Sequence, residues 1–244
     1  MAKRFLEIDA LRGMAVVLMV VFHFLFDYNF FITFIVNLDS GFWFIVGRAT
    51  AVLFVSLAGL SLTLHAHRKS SMQNRPNEWK MFARRGIFIL SLGLMISLIT
   101  FALFPTNAIW FGVLHLMGIS FVLGAPFLHR KNIALAGGLV ITSAGILLAT
   151  VFHSDVPFWP ILFPVSFSTF DYFPLFPWFG IFLLGIAAGH YFYPRGVPHP
   201  KLGWEKGNAL VRMLALLGKK SLVIYFVHQP ILIGIILVLK NMMR

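Results

Sequence analysis

Residues 7–27 read EIDALRGMAVVLMVVFHFLFD, a stretch of helix length that is almost entirely apolar. An α-helix rises 1.5 Å per residue, so about twenty such residues cross roughly 30 Å of hydrocarbon. Similar windows recur along the chain, and irregular backbone cannot face lipid. The sequence therefore predicts an all-α, polytopic transmembrane bundle of about seven spanning helices in a single domain, residues 1–244. The predicted spans are approximately 7–30, 41–66, 82–104, 108–128, 132–152, 174–193 and 221–240.

The composition excludes a soluble fold. Hydrophobic residues make up 59% of the 244 residues and charged residues only 11%, with a mean hydropathy of +0.87. The chain has no cysteine, which excludes thiol catalysis. The first apolar stretch carries polar residues and is longer than a signal-peptide core, so we expect it to be retained as a helix.

The net charge of +12 indicates topology here rather than nucleic-acid binding, and we expect no nucleic-acid partner. With a cytoplasmic N-terminus, nearly all lysines and arginines outside the spans fall on one side. The opposite side receives Asp27, Asp39, Asp155 and Asp171. This positive-inside distribution requires an odd number of spans, and it predicts a multi-pass protein of the cytoplasmic (inner) membrane, in contact with membrane lipid.

Two connections are long. The outer loop 153–173 is apolar and aromatic, which favours an interfacial position or a lid folded back over the bundle. The inner segment 194–219 begins with prolines and basic residues and becomes amphipathic from Ala209 to Leu217. That second part is typical of a helix lying on the inner leaflet.

The first predicted helix carries four ionisable residues close to one line: Asp9, Arg12, His23 and Asp27. The step from Arg12 to His23 is about three turns, or roughly 16 Å. Ionisable side chains within spans are costly and normally face the bundle interior. An ion pair between Asp9 and Arg12 and a structural hydrogen bond of His23 would explain each residue alone. Their shared face favours a functional stripe from the inner surface to the outer half of the membrane.

Other polar positions can be placed by depth. Arg48 in the second helix and His115 in the fourth are predicted at a depth similar to His23, where the three could converge. His190 and His228 are predicted nearer the cytoplasmic half, with structural and functional roles both open. The remaining histidines are expected to be solvated: His65, His67, His129, His153 and His199.

Cations gather at predicted helix openings on the inner side. Arg84 and Arg85 open the third helix, Lys219 and Lys220 open the last, and Arg12 begins the stripe. A cation at a helix N-terminus opposes the helix dipole, so these clusters favour a compensating anion. Lipid headgroups and a bound polyphosphate ligand both fit.

Six stretches, in order along nearly the whole chain, resemble a known family. They are residues 7–27 quoted above, GRATAVLFVSLAGLSL (47–62), FARRGIFIL (82–90), GVLHLMGISFVLG (112–124), FDYFPLFPWFGIFLLGIAAG (170–189) and GKKSLVIYFVHQP (218–230). They resemble the transmembrane acyltransferases related to heparan-α-glucosaminide N-acetyltransferase. The spacing of Arg12 and His23 is also similar to that of inner-membrane acyltransferases that O-acetylate bacterial surface sugars.

The resemblance implies an enzyme that moves an acetyl group from cytoplasmic acetyl-CoA to a sugar or amino sugar on the far side. It implies donor binding by the inner cations, a general base or acyl carrier at His23, and an oxyanion stabiliser at His115. Asp27 or Asp171 would orient the base or bind the sugar. Acceptor contacts are expected at Arg48 and Asp171, and no metal site is expected. The donor-binding residues are expected to be Arg12, Arg84, Arg85, Lys219 and Lys220.

Two other functions fit parts of the pattern. A proton-coupled or anion transporter would use the stripe of the first helix as a relay. A membrane cytochrome would use His23 and His115 as haem ligands. The sequence leaves open the acceptor, nitrogen or oxygen acylation, acyl chain length, direct transfer or an acyl-histidine intermediate, and the oligomeric state, for which a homodimer is one candidate.

Overall fold

The computed structural model describes residues 5–70, 78–151, 159–162, 169–197 and 207–243. Within these ranges the chain is almost entirely helical. The α-helices are α1 (Leu6–Phe31), α2 (Gly41–Ser70), α3 (Glu78–Leu103), α4 (Val113–Gly124), α5 (Lys131–Val151), α6 (Trp159–Leu162), α7 (Leu175–Phe192), α8 (Ala209–Lys219) and α9 (Ser221–Met242). Every predicted helix is present with boundaries shifted by a few residues, which confirms the all-α, polytopic fold.

In the part of the chain that the structure describes, six helices are long and apolar enough to cross a membrane: α1, α2, α3, α5, α7 and α9. The predicted fourth span is shorter. Helix α4 and the 3₁₀ turn Ala125–Phe127 that extends it form one apolar element, Val113–Phe127. Together they cover about 24 Å, less than the roughly 30 Å of a bilayer core.

The chain forms two compact units. Unit 1 comprises Met1–Phe54 and Leu202–Arg244, and unit 2 comprises Val55–Lys201. Helix α2 contributes its first half to unit 1 and its second half to unit 2. The assignment of the whole chain to one domain stays a prediction.

Unit 1 is built on a close crossing of α1 and α8. A Cβ atom at Gly13 would collide with the backbone carbonyl of Leu214, and one at Gly218 would collide with that of Asp9. Only glycine permits this approach, and small residues are what allow helix backbones to come together in membranes. Asn208 caps α8, because its side-chain oxygen accepts a hydrogen bond from the Val211 backbone at 2.9 Å.

The amphipathic helix predicted after Ala209 is present as α8. Ala215 and Gly218 are buried, whereas Leu210, Met213 and Leu216 are exposed. Its position on the inner leaflet stays a prediction.

One inference about the inner cations is corrected by α8. Lys219 is the last residue of α8, and Lys220 joins α8 to α9. A cation at a helix C-terminus is stabilised by the dipole rather than opposed by it. Lys219 therefore does not lie at the N-terminus of the last helix, and its position alone does not indicate a bound anion.

Unit 2 is organised around α7. Gly185 of α7 lies against the Ser56 backbone, and Gly59 of α2 lies against the Phe182 carbonyl. Gly180 lies against Thr142 of α5. Helices α3 and α4 pack antiparallel through Gly86 and Gly118, and α7 also packs along α5. Glycines thus hold this unit together at its helix crossings.

Most of the long outer loop 153–173 lies outside the described residues. Its end pairs with the segment that leads into α4: Phe170 N donates to Asn107 O at 3.1 Å, and Phe173 N donates to Phe111 O at 2.9 Å. The role of the loop as a lid stays a prediction. Of the inner segment 194–219, residues 198–206 lie outside the described residues.

Candidate active site

The inner end of the α1 stripe is an ion pair. Arg12 Nη1 donates to Asp9 Oδ1 at 2.9 Å. Asp9 is buried, whereas Arg12 keeps part of its side chain exposed. The ion pair that the spacing of these two residues allowed is therefore present.

His23 lies further along α1 and is held in one tautomer. Its Nδ1 is 2.8 Å from the Met19 carbonyl oxygen, one turn back on the same helix. A carbonyl can only accept, so Nδ1 carries a proton, and in the neutral ring Nε2 keeps the lone pair. Nε2 makes no hydrogen bond to any described residue. When the ring is neutral, His23 therefore has Nε2 as its basic nitrogen.

His228 of α9 lies next to His23. The two ring centroids are 5.0 Å apart in an edge-to-face arrangement. His228 Nδ1 is 2.7 Å from the Tyr225 carbonyl oxygen, which fixes the same tautomer as in His23. Its side chain is buried, at 8% exposure. Two imidazoles therefore lie side by side in unit 1, and in the neutral form of each ring Nε2 is the basic nitrogen.

The predicted depth of His228, nearer the cytoplasmic half than His23, is wrong. That prediction takes Lys219 and Lys220 as the edge of the membrane. In the structure α9 begins only after α8, and the C-terminal end of α8 already lies against Asp9 and Gly13. The start of α9 is thereby raised along α1, which brings His228 to the level of His23.

Asp27 completes this group one turn beyond His23. Gln229 Nε2 donates to Asp27 Oδ1 at 2.9 Å, which joins α9 to α1. Asp27 is only 2% exposed. We call His23, Asp27, His228 and Gln229 the outer polar cluster. The sequence analysis did not predict Gln229 as a site residue. The signal that could have indicated it is the adjacent polar pair His228 and Gln229 in an otherwise apolar helix.

The outer polar cluster is not satisfied internally. Asp27 Oδ2, His228 Nε2 and Gln229 Oε1 are buried and have no hydrogen-bond partner among the described residues. All three atoms are acceptors. Buried acceptors without partners cost about 1–3 kcal/mol each, so their retention in an apolar helix pair points to a ligand that supplies donors.

Arg48 lies in the part of α2 that belongs to unit 1. Its neighbour Gly47 lies against the Phe22 ring, which places Arg48 at the level of His23, as predicted. Arg48 is exposed, and its guanidinium lies over the Phe44 ring at 5.2 Å. Its contact with an acceptor stays a prediction.

The predicted donor-binding cations are divided between the units. In unit 1, Lys219 and Lys220 are exposed and follow the α1–α8 crossing, close to the level of Arg12. In unit 2, Arg84 and Arg85 are exposed in the first turns of α3, and Arg85 lies over the Phe121 ring at 5.5 Å. Each unit thus carries a basic group.

His115 is placed differently from His23. It begins α4, where Gly112 N donates to its Nδ1 at 3.2 Å. Its Nε2 is 3.2 Å from Ser97 Oγ, and that hydroxyl donates in turn to Ile109 O at 2.5 Å. Both ring nitrogens are therefore used to join α3, α4 and the segment between them. Its role as an oxyanion stabiliser stays a prediction.

Asp171 also has a structural contact in unit 2. Its Oδ2 accepts from Val113 N at 2.9 Å and so caps the N-terminus of α4. A carboxylate at this position is stabilised by the helix dipole. Its roles in catalysis and in acceptor binding stay predictions.

Two other histidines of unit 2, both half-buried, are joined by a hydrogen bond. His190 Nε2 donates to the Leu128 carbonyl at 2.7 Å, and His190 Nδ1 accepts from His67 Nε2 at 3.2 Å. The prediction that His67 is solvated is wrong, because it packs against the His190 ring. His65 and His129 are exposed. His153 and His199 lie outside the described residues.

The outer polar cluster combines groups that proton-transfer chemistry needs. Two neutral imidazoles can each accept one proton, and a carboxylate and an amide can hold a ligand that donates hydrogen bonds. Among the described residues, no group of three or more histidines and acidic residues has the arrangement of a metal site.

Comparison with known proteins agrees with this picture. No curated protein and no solved structure matched the chain. A family model described as heparan-alpha-glucosaminide N-acetyltransferase, catalytic, matches residues 4–230. The match covers nearly the whole chain, including the outer polar cluster and both basic groups. The chain is therefore a membrane protein that belongs to the heparan-alpha-glucosaminide N-acetyltransferase catalytic family.

Proposed function

We propose that this protein is an acetyltransferase that takes its acetyl group from acetyl-CoA on the cytoplasmic side and transfers it to a sugar or amino sugar on the other side. The observation that carries the proposal is the outer polar cluster, in which His23 presents an unprotonated Nε2 inside a chain of an acetyltransferase family. The family supports the acetyl group and the sugar acceptor, and the geometry of His23 supports its role as the base.

Two basic groups, one in each unit, are candidates to hold the donor. Arg12, with Lys219 and Lys220, provides cations near the start of α1, and Arg84 with Arg85 provides a second group at the start of α3. Guanidinium and ammonium groups bind phosphate through charge-assisted hydrogen bonds. About 16 Å of α1 separates Arg12 from His23, so the extended arm of the coenzyme would bring the thioester from one to the other.

The chemistry at the cluster requires a base near the acceptor. In direct transfer, His23 Nε2 takes a proton from the acceptor hydroxyl or amine. The oxygen or nitrogen of the acceptor attacks the thioester carbonyl carbon at the same time. The carbon–sulfur bond then breaks, and the departing thiolate takes the proton from His23. If His23 itself is acylated at Nε2, it can no longer act as the base. His228, whose ring centroid is 5.0 Å from that of His23, would then take the proton of the acceptor.

Asp27 is the acidic residue of this site. Its hydrogen bond with Gln229 and its position one turn from His23 support a role in holding the acceptor. His115 and Asp171 belong to unit 2 and make structural hydrogen bonds there. We therefore assign the proton transfer to the outer polar cluster and keep His115 and Asp171 as secondary candidates.

The test is acetyl transfer by the purified protein in sealed vesicles that contain glucosamine or glucose as acceptor. Radiolabelled acetyl-CoA is added outside, and the population with cytoplasmic loops outward is selected by tag accessibility. Labelled sugar inside the vesicles is expected. Absence of labelled sugar, in folded protein that also fails to bind acetyl-CoA, contradicts the proposal and favours transport through the α1 stripe.

A further inference from the structure

Two contacts join α1 to α9 in the outer polar cluster, and the first is the pair of imidazole rings. Their centroids are 5.0 Å apart at an interplanar angle of 81°. Nδ1 of each ring bonds to a carbonyl of its own helix, so His23 and His228 pack edge to face without a hydrogen bond between them. Aromatic packing of this kind tolerates centroids from about 4.5 to 7 Å apart, so it does not fix the separation of the two Nε2 atoms.

The second contact is a hydrogen bond, which is more directional. Gln229 Nε2 donates to Asp27 Oδ1 at 2.9 Å. Little water competes for this bond, because Asp27 is only 2% exposed. A hydrogen bond weakens steeply when its distance or angle changes. Asp27 lies one turn beyond His23 on α1, and Gln229 directly follows His228 on α9, so the bond restrains α9 at the point where the two rings meet.

The amide of Gln229 has a cost in this helix. Its Oε1 is buried and has no hydrogen-bond partner among the described residues. An apolar side chain of similar length would pack in α9 without leaving an acceptor unpaired. The feature that an apolar side chain lacks is the N–H donor, and that donor is used on Asp27. The bond between α1 and α9 therefore accounts for an amide at this position.

We propose that Gln229 is a positioning residue, whose bond to Asp27 sets His228 against His23 for the proton transfer. This inference rests on the proposed function and adds a residue that acts through its neighbours. The same bond orients Asp27, since it occupies Oδ1 and leaves Oδ2 to meet a ligand. Loss of the bond should slow turnover without weakening donor binding, because a displacement of reacting groups by about 1 Å can lower the rate roughly 100-fold.

The first test is Gln229→Met, which keeps a side chain of similar length and removes the donor. With the purified full chain, glucosamine and saturating acetyl-CoA, turnover should fall about 10- to 100-fold. The Kd for acetyl-CoA should stay unchanged. Ile231→Ala is the matched control, because Ile231 is exposed on the same helix and outside the cluster. Its turnover should equal that of the wild type.

Gln229→Glu separates positioning from packing through its pH profile. The new carboxyl can bond to Asp27 only while the pair shares one proton, since two carboxylates side by side repel. Turnover relative to the wild type should therefore fall as the pH rises from about 6 to about 9. Adding Asp27→Asn re-forms an amide–carboxylate bond in the opposite direction, so the double variant should exceed Gln229→Glu at least about 5-fold at pH 9 and lose this pH dependence.

The comparison with the wild type at each pH removes the titration of the neighbouring groups. Those groups lie on α1, on α9 and on the first half of α2: His23, Tyr28, His228, Tyr225 and Arg48. A role of Gln229 confined to packing predicts the same relative turnover of Gln229→Glu at every pH.

A spin-label measurement tests the positioning role without an acceptor. The chain has no cysteine, so Val21→Cys and Val227→Cys place two labels at exposed positions of α1 and α9. The distribution of distances between the labels should broaden in Gln229→Met. It should match that of the wild type in Ile231→Ala.

Three results overturn the inference while leaving the proposed function standing. They are turnover of Gln229→Met within about 2-fold of the wild type, relative turnover of Gln229→Glu that does not change with pH, and an unchanged distribution of label distances in Gln229→Met. Thermal unfolding in detergent shows whether each variant is folded. Failure of folded wild-type protein to bind acetyl-CoA contradicts the proposed function itself, and the label distances then still test the positioning role.

Discussion

The histidines of the two units differ in how their ring nitrogens are used. In unit 2, His115 and His190 use both nitrogens to join backbone and side chains of different segments. In unit 1, His23 and His228 each give one proton to the carbonyl of their own helix, and the second nitrogen has no partner in the described structure. A satisfied histidine strengthens helix packing, whereas an unsatisfied one retains a lone pair for a ligand. We infer that the proton transfer of the proposed reaction takes place in unit 1.

Each unit also carries a basic group, and substitution of these cations should have the largest effect on donor binding. We expect Arg84→Ala with Arg85→Ala, and separately Lys219→Ala with Lys220→Ala, to raise the Kd for acetyl-CoA about 10- to 100-fold. Turnover at saturating donor should change less than about 3-fold, because these cations are proposed to bind the phosphates and not the reacting groups. Equilibrium binding and saturation kinetics measure the two quantities.

Arg212→Ala is the matched control, since Arg212 is an exposed cation on α8 outside both groups. Unchanged donor affinity in one double variant would remove that unit from the phosphate site. Unchanged affinity in both would move the site elsewhere.

Substitution of a histidine that uses both ring nitrogens should lower stability and leave turnover nearly unchanged. His190→Ala removes hydrogen bonds to His67 and to the Leu128 carbonyl, and should lower the free energy of unfolding by about 1–2 kcal/mol. Turnover per folded molecule should stay within about 3-fold of the wild type. Reversible unfolding in detergent and an activity assay on the same sample give both values. A large loss of turnover with normal stability would break the comparison.

The smallest effect is expected at Arg48. Its exposed guanidinium lies at the level of His23, so Arg48→Gln should raise the acceptor KM by about 5-fold, as for one lost hydrogen bond. The thermal unfolding temperature and donor affinity should not change. Steady-state kinetics with glucosamine checks the shift, and an unchanged KM would place Arg48 outside the acceptor site.

The sequence predicted the helices well because each is a long apolar stretch whose ends carry charges or prolines. It also predicted that Asp9, Arg12, His23 and Asp27 lie along α1, since residues on one helix have a fixed spacing. It could not predict which residues of α9 meet that stripe. That contact depends on the α1–α8 crossing at Gly13 and Gly218, a tertiary feature that sets the level of α9.

The same limit explains the other misplaced residues. The sequence places His67 at a helix end exposed to solvent, but the packing of α2 on α7 leaves it half-buried against His190. Lys219 lay next to the last span in the sequence, but it ends a separate helix. The length of α4 fell short of the predicted span because residues 108–112 pair with the end of the outer loop instead of extending the helix.

The measurement that tests the central claim most directly is the rate of acetyl transfer by His23→Gln and His115→Gln at saturating acetyl-CoA, normalised to folded protein. We predict at least about 100-fold loss for His23→Gln, as for removal of a general base, and less than about 5-fold loss for His115→Gln. Unchanged transfer by His23→Gln, or a larger loss in His115→Gln, would contradict the assignment of the chemistry to the outer polar cluster.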